Sequence, residues 1–267
     1  MKTVGEVIGP RVEFEETLPD VTPGARAAVV LGGSGSVGYA LVTALIRSGA
    51  FSPVVTVVRR SQPEHVTLVL DAGVTLRETL VPTMDPASLE AATTAAVRSL
   101  QGAAVGFSVL GIGAGTAKLT IDEHRAVDVR LNAAFARGLK ASGRVTHLAF
   151  MSAAGANPAG ATTGSGAAGA PRYARVKGES EEAVTASGLA VVSIMRPAMI
   201  LGSQHTPWLL ERLLPLFSFV TPARYRSITV GQIADAMVAL ALNTPARSGV
   251  YHYPEMMTLG SAHAKKE

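Results

Sequence analysis

The 267-residue sequence contains no cysteine. That absence removes disulfides, thiolate metal sites and cysteine nucleophiles together, and it fits a reducing compartment, so a cytoplasmic location is expected. Charge is also scarce: 16% of residues are charged, against roughly 25% in an average soluble domain. Hydrophobic residues reach 48%, so a disordered chain is excluded. Aromatics amount to 5%, too few to stack the bases of a nucleic acid. The net charge of +4 is diffuse, with no basic run longer than Arg59-Arg60 or Lys265-Lys266. A nucleic-acid partner is therefore not expected, while a basic pocket for a phosphorylated ligand remains open. Long apolar runs are missing too. The best candidate, Trp208 to Val220, is broken by Glu211, Arg212 and Pro215 and is too short to span a bilayer. Glu6, Glu13, Glu15 and Glu16 likewise interrupt any apolar or basic leader.

What is present is a regular alternation. Residues 1–24 hold Gly and Pro among short stretches and read as an N-terminal extension. From there to residue 254, short β-rich apolar runs alternate with longer segments of helical period, which predicts an α/β fold with a doubly wound parallel sheet and helices on both faces. Strands are expected near Ala27–Leu31, Val54–Val58, Val74–Leu80, Ala104–Leu110, Val145–Met151, Ala190–Met195 and Gly249–Tyr253. Helices are expected over Ser36–Arg47, Pro86–Leu100, Ile121–Ala141, Tyr173–Ser187 and Val230–Leu242. A small substrate lobe is placed at about 203–226, and residues 255–267 read as a C-terminal tail. Residues 155–171 are so rich in Gly, Ala and Pro that no amphipathic face can form, which predicts a mobile loop.

The first strand runs into Gly32-Gly-Ser-Gly-Ser-Val-Gly38 and then a helix. A dinucleotide pyrophosphate needs a turn free of Cβ atoms, outward backbone N–H groups and the positive end of a helix dipole, and Gly32, Gly35 and Gly38 supply that spacing, with Ser36 and Val37 opening the helix. A glycine triplet alone could be a structural turn; the order strand, turn, helix raises it above that. The next strand ends in Arg59-Arg60 with no acid before Glu64. Arginine at that strand end favours a ribose 2′-phosphate, so NADP(H) is expected over NAD(H).

Tyr173 and Lys177 stand four residues apart at the start of a helix that follows the fifth strand. An ammonium near a phenol stabilises the phenolate, making Tyr173 a usable general acid for a carbonyl oxygen that receives hydride. Ser152, just past the same strand, emerges at the same sheet edge, where its hydroxyl can orient the substrate oxygen. His124, His147 and the other histidines show no ligand spacing or nucleophile motif and are expected in core or surface roles.

Together these segments resemble the short-chain dehydrogenase/reductase superfamily, in its atypical branch and most closely the Tat-interacting-protein oxidoreductases. The resemblance rests on GGSGSVG, FSPVVTVVRR, VGFSVLGIGAG (Val105 to Gly115), AFMSAAGA, YARVKGESE and MRPAMILG (Met195 to Gly202). It implies NADPH held by the glycine turn, Arg59 and Arg60, with Leu110 and Gly111 beside the cofactor and Pro197 to Met199 closing over nicotinamide. It also implies Ser152, Tyr173 and Lys177 as the catalytic set. Asp128 stands where the wider superfamily has an asparagine, and Pro82 where many relatives have an aspartate. The expectation is an NADPH-dependent oxidoreductase acting on a small, lipophilic carbonyl or alcohol, with Met199, Trp208, Leu209 and Leu213 lining the pocket. Two alternatives stay open, an NADPH-sensing interaction protein without turnover and a nucleotide-sugar epimerase or dehydratase. Homo-oligomerisation is also left open.

Overall fold

The computed structural model describes residues 26–66, 68, 73–202 and 222–264. Its centre is a seven-stranded parallel sheet of β1 (Arg26–Leu31), β2 (Phe51–Val58), β3 (Leu76–Leu80), β4 (Ala104–Ser108), β5 (Val145–Met151), β6 (Val191–Met195) and β9 (Gly249–Tyr251), in the order β3-β2-β1-β4-β5-β6-β9. β7 (Ile200–Leu201) and β8 (Ile228–Thr229) form a separate parallel pair. β1 lies at the centre because Ala27 to Leu31 is an unbroken apolar run, buried on both faces as a sheet covered on both sides requires. The strand order reverses between β1 and β4, and the carboxyl ends of these two strands open the crevice where doubly wound sheets take ligands.

The helices are α1 (Ser36–Arg47), α2 (Pro63–Val66), α3 (Pro86–Arg98), α4 (Ile121–Arg125), α5 (Asn132–Ser142), α6 (Pro171–Thr185), α7 (Val230–Leu242) and α8 (Tyr253–Ala264). One apolar core gathers residues of α1, α7 and α8 beneath one sheet face; a second gathers those of α3, α5 and α6 beneath the other. The Rossmann-type α/β fold expected from the alternation is the fold observed. Helix starts follow local chemistry. Asp85 caps α3, accepting from Ser88 N at 2.9 Å ahead of a proline at the first turn. Thr120 with Glu123, and Thr229 with Gln232, close capping boxes on α4 and α7.

Some expectations change. The helix expected across Ile121–Ala141 is interrupted by a π-helical turn, Ala126–Leu131, between α4 and α5. Residues 255–264, assigned to a tail, continue α8 instead, because Met256 is fully buried and Met257 and Leu259 pack on the core beside it. The proposed extension 1–24, the lobe residues 203–221 and the last residues 265–267 lie outside the described residues. Among the described residues, no helix is long and apolar enough to cross a membrane.

Candidate active site

At the end of β1 the backbone turns through Gly32, whose φ is +86°, and a Cβ there would lie 2.6 Å from Leu110 N. A Cβ on Gly38 would overlap the Gly32 carbonyl oxygen and lie 2.7 Å from Gly33 Cα. The first turn of α1 is thus drawn tightly over the loop, and the segment after β4 is brought against it. Gly35 closes the turn, donating to the Gly32 carbonyl at 3.2 Å, and as the N-cap of α1 it provides no side-chain acceptor. Its own Cβ position meets nothing nearer than 3.7 Å. Ser36 and Val37 begin the helix, with Val37 buried in the core. A tight turn, an uncapped helix start and an open side at Gly35 fit the pyrophosphate of a dinucleotide.

Arg59 and Arg60 follow β2, both exposed, and with Ser34, Ser61 and Gln62 they line a polar cavity of about 320 Å³ beside the glycine turn. The chain near this turn is not free of acids, contrary to what the sequence alone suggests. Glu78 of β3 accepts from Ser61 Oγ at 2.5 Å and from Gln62 N at 2.8 Å. Those donors tie its carboxylate to the turn. The cavity thus carries Arg59 and Arg60 on a wall that is otherwise lined by neutral polar residues.

On α6, Tyr173 and Lys177 lie one turn apart, with Lys177 Nζ 5.7 Å from the phenol ring centre. Lys177 is 5% exposed and donates to Asp128 Oδ1 at 2.5 Å. Asp128, 1% exposed, sits in the π-helical turn, and its Oδ2 accepts from Ile112 N at 3.2 Å. Burial pushes the Asp128 carboxyl up, but the Lys177 charge, with contributions from His124 and the Lys177 hydrogen bond, brings it down to about 2. Burial works against the Lys177 ammonium as well; the phenol oxygen of Tyr173, the charge and hydrogen bond of Asp128 and the charge of Glu181 hold it above the ordinary lysine value. The His124 ring stacks on Tyr173 at 5.6 Å, with its Nε2 at 3.6 Å from Asp128 Oδ1. A Cβ on Gly111 would lie 3.1 Å from Lys177 Nζ, so the segment after β4 that touches Gly32 also touches the Lys177 pair.

Ser152 is 3% exposed and, among the described residues, its hydroxyl has no hydrogen-bond partner. The chain beyond β5 stays paired with the chain beyond β6 through Ser152 N to Met195 O and Ala154 N to Pro197 O, both at 2.8 Å. This brings Pro197 beside the Ser152 segment. Met199 is exposed and its carbonyl accepts from Ile228 N. Trp208, Leu209 and Leu213 lie outside the described residues. The 155–171 segment is irregular, as expected, but it is anchored. Asn157 N donates to Ala174 O at 2.9 Å, and Arg175 Nη1 donates to Gly160 O at 2.6 Å. Sequence composition hides such anchors because they use backbone carbonyls and not apolar side chains.

The glycine turn, Leu110, Gly111, Lys177 and Tyr173 are thus joined through a chain of close contacts at the carboxyl edge of the sheet. Ser108, His124, Asp128 and Asn132 of this region are absent from the sequence-derived site. Asn132 donates to Leu110 O at 3.3 Å and to Asp128 O at 2.8 Å, and Ser108 Oγ donates to Asn132 Oδ1 at 2.5 Å. The available signal is the spacing His124, Asp128, Asn132, three polar side chains each four residues apart and each buried. Among the described residues no cluster of acidic and histidine side chains is placed to hold a metal ion.

A family model described as NAD(P)H-binding matches residues 32–244. The chain belongs to that family. Solved structures with the same fold include a short-chain dehydrogenase/reductase from Serratia marcescens, at 18% identity and a TM-score of 0.61, covering 86% of this chain and 98% of that one. L-Sorbose reductase from Gluconobacter frateurii, complexed with NADPH and L-sorbose, is similar at 16% identity and a TM-score of 0.60, covering 87% of this chain and 97% of its own. Pal from Bacillus thuringiensis is similar at 15% identity and 0.59, covering 88% and 82%. At these identities the likeness is one of fold. Among curated proteins, no match to the sequence is significant.

Proposed function

We propose that the protein is an NADPH-dependent oxidoreductase of the atypical short-chain type, close to the Tat-interacting-protein branch, that reduces the carbonyl of a small, lipophilic substrate or oxidises the corresponding alcohol. The observation that carries this reading is the placement of Tyr173 above Lys177 on α6, with Lys177 against Gly111, on the segment that packs under the glycine turn. Bound NADPH supplies the hydride that the carbonyl carbon receives. Tyr173 donates its phenolic proton to the carbonyl oxygen, and Lys177 stabilises the phenolate that remains. Ser152, whose buried hydroxyl has no hydrogen-bond partner among the described residues, orients that oxygen. Arg59 and Arg60 bind the 2′-phosphate, Gly32, Gly35, Ser36, Val37 and Gly38 cradle the pyrophosphate, and Leu110, Gly111, Pro197 and Met199 flank the nicotinamide end. Met199, exposed just beyond Pro197, contributes an apolar surface on the substrate side.

Tyr173→Phe removes the proton donor alone, so turnover of NADPH with a panel of aldehydes, ketones and quinones should fall about a hundredfold. Cofactor affinity, read by direct titration, should stay near the wild-type value. Tight NADPH binding by the wild-type protein with no turnover on any of these compounds would favour a sensing protein and overturn the enzyme.

A further inference from the structure

We infer that Asp128 is a positioning residue for the proposed reaction: its carboxylate keeps the buried Lys177 protonated and in place beneath Tyr173. The inference rests on the reading of Tyr173 and Lys177 as the reacting pair and adds the group on which their charge depends.

Lys177 is almost entirely buried, and a buried amine without a counter-ion gives up its proton readily, by several pH units in the extreme. Its charge therefore needs a partner within reach. The groups facing it are few. On its own helix are Tyr173 and Glu181, on α4 is His124, and in the π-helical turn is Asp128. From α5, Asn132 presents only a neutral amide, and the segment after β4 presents backbone at Gly111 and Ile112. Glu181 is committed elsewhere, because Arg196 grips both of its oxygens, at 2.8 and 2.5 Å. The next ion pairs on this face, Arg125 and Arg175 with Glu179, satisfy one another. Among the described residues, Asp128 is the carboxylate left to Lys177, and it is in direct contact.

Asp128 is itself held from several sides. Ile112 N binds its second oxygen, and its carbonyl accepts from Asn132 Nδ2 and from Ser180 Oγ of α6. The π-helical turn, a device common at functional sites, is what places this carboxylate opposite α6. The carboxylate also faces the His124 ring that lies flat against Tyr173, so the ammonium and the imidazole that flank the phenol share one anchor.

The test follows the ¹⁵N resonance of Lys177 Nζ against pH in the full chain without substrate. In the wild-type protein Lys177 should remain an ammonium throughout the neutral range, and in Asp128→Asn its midpoint should fall to about 7 or below, as for a buried lysine left without a counter-ion. An unchanged midpoint in that variant would overturn the inference. Should Asp128→Asn not fold, Lys177→Met reads the same pair from its other side: the ¹³C carboxyl midpoint of Asp128 should rise by more than one unit, and an unmoved midpoint overturns the pairing. Where turnover is found, Asp128→Asn should lose at least tenfold in kcat at pH 8 and regain most of it as the pH is lowered and Lys177 recovers its proton. A loss equal at every pH would mean a merely structural carboxylate. The resonances do not depend on turnover, so a pair that titrates as described in a protein without activity would overturn the enzymatic reading and leave the pairing intact.

Discussion

At Gly38 a methyl group has nowhere to go, since it would overlap the Gly32 carbonyl oxygen and press on Gly33. Gly38→Ala should therefore lower stability by on the order of 2 kcal/mol or more, because the obstructing atoms are backbone and cannot turn aside. At Gly35 the same methyl group meets nothing within 3.7 Å and points to the open side of the turn. Gly35→Ala should leave the melting temperature nearly unchanged yet weaken NADPH binding at least tenfold if, as proposed, the pyrophosphate lies against this turn. Thermal melts paired with cofactor titrations check both, and normal binding by folded Gly35→Ala would remove the dinucleotide from this turn. At the ribose end, the cavity wall formed by Arg59 and Arg60 leads to an expected preference for NADPH over NADH of about tenfold, or about 1.4 kcal/mol. That preference should vanish in Arg59→Ala/Arg60→Ala; equal affinities in the wild-type protein would refute it. The turn around Gly35 and Gly38 was legible in the sequence because its close contacts, to Gly32 and Gly33, lie within a few residues. Glu78 and Asp128 were not, because their partners Gln62 and Lys177 are brought to them only by strand pairing and helix packing.

Elements show the same division. α1 and α7 begin and end where the sequence places them, since periodicity and capping residues are local. The π-helical turn leaves no mark in hydrophobic period, as one widened turn barely shifts the apolar face, and α8 carries too weak an amphipathic pattern to separate it from a tail. The 155–171 segment is legible as irregular, but its anchors on α6 are not. Of this segment, residues 161–165 are exposed, whereas Ala156 and Gly166 are buried. Deleting 161–165 should accordingly leave the fold and NADPH affinity intact, since neither the core nor the glycine turn touches these residues. Their neighbours flank Ser152 and Tyr173, so KM for the substrate should change by severalfold. Unchanged kcat and KM would mark the stretch as a neutral surface insertion.

For the whole molecule, stability is coupled to pH through histidines that the layered fold buries. His147 on β5 is enclosed, with Nε2 at 3.0 Å from Ser193 Oγ; burial, helped by the charge of Arg26, pushes its imidazole down from 6.5 to about 4. His65, buried beneath Gly33, is pushed down by burial as well. At His147 the unfolded chain takes up a proton as the pH falls below about 6.5, while the folded chain refuses it until near 4, so stability is lost across that window and not above it. Asp128 acts lower, because its folded carboxyl lies at about 2 against an ordinary 3.8, and its contribution disappears only as the pH drops between those values. Between pH 7 and pH 5 the fall in unfolding free energy therefore belongs to the histidines, with about 2 kcal/mol expected from His147. His147→Gln keeps a polar group near Ser193 but binds no proton in either state. In urea denaturation at the two pH values, this variant should lose about 2 kcal/mol less stability than the wild-type protein on acidification. An equal loss in both would place the acid-sensitive proton elsewhere, with His65 the next site to substitute.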